Sequence, residues 1–206
     1  MARFIVFEGG EASGKSTQAA RLAARLGAVP THEPGGTALG VALRSLVLAP
    51  GDAGPVDRAE ALLMAADRAQ HVAEVVRPAL AAGRHVVCDR YTGSTLAYQG
   101  YGRHLPVAEL ERISAWAAEG LEPDLVVLLE VAPSVAAARS AGPGDRLEAA
   151  GAAFHDRVAH GYRALARADP RRWVTVDGSG PVNAVEAAVW EAVSTRLPEL
   201  ALAVGP

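Results

Sequence analysis

FIVFEGGEASGKST, from Phe4 to Thr17, sets a continuously apolar run against a glycine-rich segment that contains Lys15. Lys15 is the only lysine among 20 basic residues; every other is arginine. Residues 9–16 have the spacing G-x-x-x-x-G-K-[ST], placed between a strand-like run and a helix-period segment. Glycines let a backbone curl so that successive N–H groups converge on an anion at a helix N-terminus. The ammonium of Lys15 adds a compact charge on a slim stem, which the broad guanidinium of arginine does not replace. This reading makes Gly9, Gly10, Glu11, Ala12, Ser13, Gly14, Lys15, Ser16 and Thr17 a phosphate cradle, with the Ser16 hydroxyl a ligand for Mg²⁺.

Working outward, short apolar runs recur at 28–31, 85–88, 125–129 and 173–176, in addition to 4–7. The runs at 4–7, 85–88 and 125–129 are almost continuously apolar, as strands buried on both faces of a parallel sheet are. Helix-period segments lie between them at 15–26, 37–48, 57–82, 106–119, 134–139, 147–168 and 181–197. Alternating strands and helices predict one α/β domain over 1–206, a doubly wound five-stranded parallel sheet flanked by helices. Segments 50–55 and 140–145, rich in Gly, Pro and small residues, are expected to be mobile surface.

The chain has 206 residues, 50% hydrophobic and 21% charged, with a net charge of −3. No polybasic signal points to nucleic acid or an anionic membrane. The lone Cys88 forms no internal disulfide, no run approaches a bilayer span, and the N-terminus lacks a signal-peptide layout, so a cytoplasmic protein is expected. His155 and His160, five apart on a helix, face different ways and make poor metal ligands.

In a doubly wound sheet, ligands bind beyond the carboxyl ends of the strands. After the third strand come Asp89 and Arg90, then Ser94, Thr95, Tyr98 and Gln99. Asp89 is placed to hold a Mg²⁺ hydration shell, and Arg90 to grip a phosphate through two N–H groups. T-H-E-P-G-G-T follows the second strand, with Arg44 one to two turns beyond it. Arg68 falls four residues after Met64 and shares its helix face.

The chain resembles the thymidylate kinase family. The resemblance rests on FEGGEASGKST, T-H-E-P-G-G-T with A-L-R-S-L-V-L, L-L-M-A-A-D-R-A-Q-H, V-V-C-D-R-Y-T-G-S-T-L-A-Y-Q-G-Y-G-R and G-D-R-L-E, in family order. It implies a P-loop nucleoside monophosphate kinase architecture, ATP with Mg²⁺ as donor, dTMP as acceptor, and a homodimer formed through helices. By resemblance Glu11 approaches the 3′-hydroxyl of dTMP, and Arg44 and Arg90 hold its phosphate. Arg68 meets a thymine carbonyl, Thr95 the thymine edge, and Tyr98 the sugar. Pro34, Met64, Ser94 and Gln99 complete the acceptor pocket. A lid around 139–150 carries Asp145, Arg146 and Glu148, and residues 177–180 lie beside the adenine.

Three positions depart from the family pattern. His32 stands where arginine is common, and Met64 where a phenylalanine usually stacks on the base. The lid offers only Arg139 and Arg146 as the arginine that stabilises the transferring charge. Arg146 is preferred for its D-R-x-E context, and Arg139 is assigned to ATP. Rival readings are a kinase for another nucleotide, a P-loop switch, and a binding protein without turnover. The switch reading suffers from the absence of N-K-x-D and leaves Arg44, Arg68 and Arg90 without a task.

Overall fold

The structure, a computed structural model, describes residues 1–49, 54–139 and 145–204. The expected mobile segments at 50–55 and 140–145 fall mostly on 50–53 and 140–144, which lie outside the described residues.

Five strands form one parallel sheet: β1 (Phe4–Glu8), β2 (Val29–His32), β3 (Val86–Asp89), β4 (Leu125–Glu130) and β5 (Trp173–Asp177), in the order β2-β3-β1-β4-β5. β1 is central, buried at every residue, and pairs with β3 through Val6 and Cys88 and with β4 through Val6 and Val126. Each strand runs one residue past its last expected apolar position, onto Glu8, His32, Asp89, Glu130 and Asp177. The carboxyl edge of the sheet is therefore a row of polar side chains.

Strand alternation divides the core in two. Ile5, Phe7, Leu125, Val127 and Leu129 pack with Leu22 of α1 (Lys15–Leu26) and with Val185, Val189 and Val193 of α9 (Val182–Arg196). Phe4, Val6, Val86 and Val126 face the other way, onto Val72 and Val76. Each such side chain contributes roughly 1.5–3 kcal/mol on burial.

The expected helix over 57–82 is α3 (Asp57–His71), a π-helical turn (Val72–Val76) and α4 (Arg77–Ala81) in succession. The π turn directly precedes Pro78, whose ring nitrogen offers no hydrogen for a bond to the preceding turn. The segment at 37–48 starts as α2 (Ala38–Leu48), capped by Thr37, whose Oγ1 accepts from the Gly40 N–H at 3.0 Å. Helix α6 (Val107–Ala117) follows the expectation, as does α7 (Pro133–Arg139). The expected helix at 147–168 is broken at Gly151, where φ is 88°, between a 3₁₀ turn (Glu148–Ala150) and α8 (Ala152–Ala168). A short α10 (Pro198–Val204) follows α9.

Two helical segments have no sequence forecast: α10, and α5 (Thr92–Thr95) running into a π-helical stretch (Leu96–Gly102), which borders the site. Its sequence, TGSTLAYQGYG, is poor in helix formers. Packing on α8 imposes the helix. Tyr98 meets Phe154 edge-on at 6.0 Å, and a side chain on Gly102 would lie 2.6 Å from the Phe154 ring. Phe154 is buried, so the ring has no room to retreat. Gly102→Ala should therefore cost about 1–3 kcal/mol of stability by overpacking. Urea denaturation measures it, and an unchanged midpoint would show that this contact does not hold the acceptor helix in place.

Candidate active site

The loop between β1 and α1 is shaped by glycine where a side chain would collide. A Cβ on Gly9, at φ 147°, would sit 2.4 Å from the Leu129 carbonyl oxygen. Gly14 takes φ 91° at the start of α1, which begins without a side-chain cap and so presents N–H groups to the cleft. Lys15 is buried, its Nζ donating to the Gly10 carbonyl at 2.6 Å and to Ser13 Oγ at 3.3 Å. Burial and the Arg90 charge push its ammonium down to about 8, against the pull of Glu11, Asp89 and Glu8.

Ser16 donates its hydroxyl hydrogen to Asp89 Oδ2, joining loop to β3. The other carboxylate oxygen, Asp89 Oδ1, is buried with no hydrogen-bond partner. A hydroxyl and a half-used carboxylate suit a hard cation that takes oxygen ligands. Among the described residues no three His, Cys, Asp or Glu side chains converge, so the protein offers no metal cage of its own. Magnesium would be held by Ser16, Asp89 through water, and the phosphates it accompanies.

Arg90 follows Asp89 with φ 72°, a conformation that costs a non-glycine residue free energy. Its guanidinium donates to Glu11 Oε1 at 2.7 Å, to Tyr98 Oη, and to Gly9 O, Ser94 Oγ and Tyr162 Oη. Tyr98 also donates to Glu11. Burial acts to raise the Glu11 carboxyl, but Arg90, Lys15 and the Tyr98 hydroxyl outweigh it and hold it at about 2.

The opposite wall is the T-H-E-P-G-G-T loop, with a cis Glu33–Pro34 bond. Arg44 donates to the Pro34 carbonyl at 3.1 Å. Partial burial and the Arg44 charge hold His32 below its ordinary value, which favours the neutral ring. Arg68 is only 2% exposed and pairs with Glu33 at 2.9 Å, donating also to Thr95 Oγ1 at 3.1 Å and Ser114 Oγ at 3.3 Å. His71 bridges Glu33 and Thr31 at 2.8 and 2.7 Å. Asp67 Oδ1 accepts from the Gly35 N–H at 3.0 Å.

These elements enclose a cleft of about 930 Å³ that every expected site residue lines except Gly9, Gly10, Ser13, Arg146 and residues 177–180. The first three form the underside of the phosphate loop. Arg146 stands apart from the cleft in this structure. Its side chain pairs with buried Glu60 and donates to the Val47 carbonyl at 3.0 Å, at the end of α2. Arg139 does border the cleft, bound to the carbonyls of Gly178, Ser179 and Gly180. Sequence reasoning missed Glu8, Glu33, Glu60, Asp67, His71 and Tyr162. A polar residue closing an apolar strand was a usable signal for Glu8; Tyr162 sits at an ordinary core position of α8 and gave none.

A phosphate loop at the carboxyl end of a central parallel strand, facing a second arginine-lined pocket, defines a P-loop kinase of the nucleoside monophosphate type. The thymidylate kinase family model matches residues 7–189. Relatives named thymidylate kinase include one from Solidesulfovibrio magneticus, 51% identical over 94% of this chain and 100% of its own length. Another, from Bifidobacterium longum, is 47% identical over 96% of this chain and 98% of its own. The crystal structure of thymidylate kinase from Ehrlichia chaffeensis superposes with a TM-score of 0.79, at 27% identity, over 93% of this chain and 98% of that one. The chain belongs to the thymidylate kinase family.

The cluster under the acceptor loop carries a pH signature. Burial first, then the Glu33 charge, raises Asp67 to about 6, although the Gly35 N–H, His71 and Arg68 pull it down. The folded value exceeds the ~4 of an unfolded chain, so folding takes up a proton between the two. The Asp67 contribution is present in full below about pH 4 and is lost as pH rises through about 6. Asp67→Asn should remove a stability loss on the order of 2–3 kcal/mol between those limits. Parallel stability curves for the two proteins from pH 4 to 7 would reject the assignment.

Proposed function

We propose that the protein transfers the γ-phosphoryl group of ATP to dTMP, giving dTDP. The observation that carries this reading is the pairing of Arg90 with Glu11 beside Lys15. One guanidinium faces both the donor cradle and the acceptor pocket, and a carboxylate in the phosphate loop points at the acceptor's side. The likeness to proteins named thymidylate kinase supports the choice of nucleotide.

The acceptor is a phosphate oxygen, anionic at pH 7, so the reaction needs no general base. Catalysis then rests on alignment and on neutralising charge that spreads over the transferring group. Lys15 and the α1 N–H groups hold the donor phosphates, and Arg90 with Arg44 draws the acceptor phosphate towards them. Magnesium, when bound with ATP, supplies further charge neutralisation at the donor phosphates. Glu11, charged at all physiological pH values, offers an acceptor to a sugar hydroxyl. Tyr98 stands under the sugar, and Arg68, Thr95 and Met64 frame the base. Arg146, tied to Glu60, does not serve the transfer in this arrangement, leaving Lys15 and Arg90 to carry the charge.

The assembly is a homodimer in this reading. Leu46 of α2, Leu62 of α3 and Trp116 of α6 are 59%, 57% and 83% exposed, large apolar side chains on helices that adjoin one another. Isolated apolar residues on a surface are ordinary, but several on one helical layer mark an interface. Light scattering should give twice the chain mass at micromolar concentration. A monomer there would reject the interface.

For the chemistry, ADP release is followed with ATP, Mg²⁺ and dTMP, dUMP, UMP, dCMP, dGMP, AMP or thymidine. The expected result is a strong preference for dTMP, with Lys15→Ala lowering kcat by on the order of 10²–10³. Activity spread across the panel would mean that Met64 and His32 have loosened the base pocket, and near-normal turnover without Lys15 would remove the P-loop from the mechanism.

A further inference from the structure

Glu8 closes β1 and is 0% exposed. It does not line the cleft. Its two oxygens receive four hydrogen bonds. Oε1 accepts from the N–H groups of Tyr91 and Ser94, both at 3.0 Å. Oε2 accepts from Ser94 Oγ at 2.6 Å and Tyr162 Oη at 3.0 Å. A carboxylate has room for about four such donors, so this one is fully used.

All of these donors surround Arg90. The chain must pass through a left-handed conformation at that residue, and such a conformation persists only where its surroundings over-determine it. Arg90 N–H bonds the Phe7 carbonyl at 2.9 Å on one side. On the other, Glu8 captures the next backbone N–H and the one three further on. The two hydroxyls that donate to Glu8 also accept from Arg90 Nη1, both at 3.3 Å. The negative charge thereby orients both hydroxyls so that their lone pairs meet the guanidinium. Gly93 is required for the approach, since a Cβ there would lie 2.8 Å from Glu8 Oε1. Tyr162 brings in α8, the helix that follows the lid, so three parts of the fold meet on one carboxylate.

We propose that Glu8 is a positioning residue for the acceptor phosphate, acting through the backbone and guanidinium of Arg90. The proposal rests on the acceptor reading above. It distinguishes Glu8 from Glu11, which reaches Arg90 directly and lines the cleft; Glu8 touches neither substrate.

The test compares a nucleotide with its nucleoside, because only the nucleotide has the group that Arg90 holds. Titration calorimetry with dTMP and with thymidine is carried out on wild type, Glu8→Gln and Tyr162→Phe. Glu8→Gln should weaken dTMP by about tenfold or more, as loss of charge-assisted bonds does, and leave thymidine within about twofold. Tyr162→Phe keeps the ring packing and removes one donor to Glu8 and one acceptor of Arg90. It should weaken dTMP by about two- to fivefold, again sparing thymidine. KM for ATP should stay within about twofold in both, since the Lys15 cradle keeps its contacts. Equal losses for dTMP and thymidine would reduce Glu8 to a general structural role and overturn the proposal, as would an unchanged dTMP affinity. If Glu8→Gln does not fold, Tyr162→Phe decides. A wrong acceptor shows in the wild type, and the same comparison is then made with the monophosphate that it does bind and the matching nucleoside.

Discussion

Two neighbouring cations, the buried Lys15 and the partly buried Arg90, set the terms for the rest of the structure. The Arg90 charge, after burial itself, is part of why the Lys15 ammonium lies near 8. Taking such charges out of water is costly unless they are paired and hydrogen-bonded. The protein supplies the partners from three carboxylates and several neutral acceptors. Glu11 takes one side of Arg90, Asp89 and Glu8 act at longer range on Lys15, and the Gly10 carbonyl and Ser13 hydroxyl accept from the ammonium. What the fold leaves unspent is the third ammonium hydrogen of Lys15 and the uncapped N–H groups at the start of α1. Phosphate groups take up those donors, so the site's affinity for them follows from donors held in place.

The acceptor wall is built on the opposite principle. Glu33, Arg68 and His71 are nearly inaccessible, and nearly every polar atom among them has a partner inside the protein. Removing one member of such a buried set typically costs 3–5 kcal/mol, because its partner is left charged and alone. The reward is rigidity: the loop that carries His32 and Pro34 is fixed to α3 at Glu33 and at the Gly35 N–H. Glu60 does similar work nearer the start of α3, receiving Gln99 and Arg146. One wall keeps hydrogen-bond donors unspent and the other has spent nearly all of its own.

The sequence made the sheet legible because its three inner strands, β1, β3 and β4, are buried on both faces and read as unbroken apolar runs. For the same reason the runs stopped one residue short. Glu8, Asp89 and Glu130 belong to their strands by backbone pairing, which an apolar pattern does not record. The phosphate loop was legible because its glycines and lysine answer to local geometry. The helix across 92–102 was not, since three glycines and two threonines argue against it and only α8 compels it. Arg146 shows the limit of motif reading. The D-R-x-E context pointed to a role for the residue in the lid, but the carboxylate that claims it in this structure sits 86 positions away in the chain. The buried set of Glu33, Asp67 and His71 was invisible for a related reason: each looks like a surface polar residue until the fold brings them together.

The exchange of lysine for arginine everywhere but position 15 also finds its reason in geometry. Arg90 works by spreading its contacts, with Nη1 serving Gly9, Ser94 and Tyr162 and Nη2 serving Glu11 and Tyr98. A single ammonium nitrogen could not reach both groups, so lysine would fail there. Lys15 works by concentration. Its nitrogen has three donors; two are spent on the loop itself, at 2.6 and 3.3 Å, which leaves one for a phosphate. A guanidinium in that place would bring a planar fork into a loop whose first glycine already lies against the Leu129 carbonyl. The two cations share a charge and a cleft, and the shapes of their surroundings make each irreplaceable by the other.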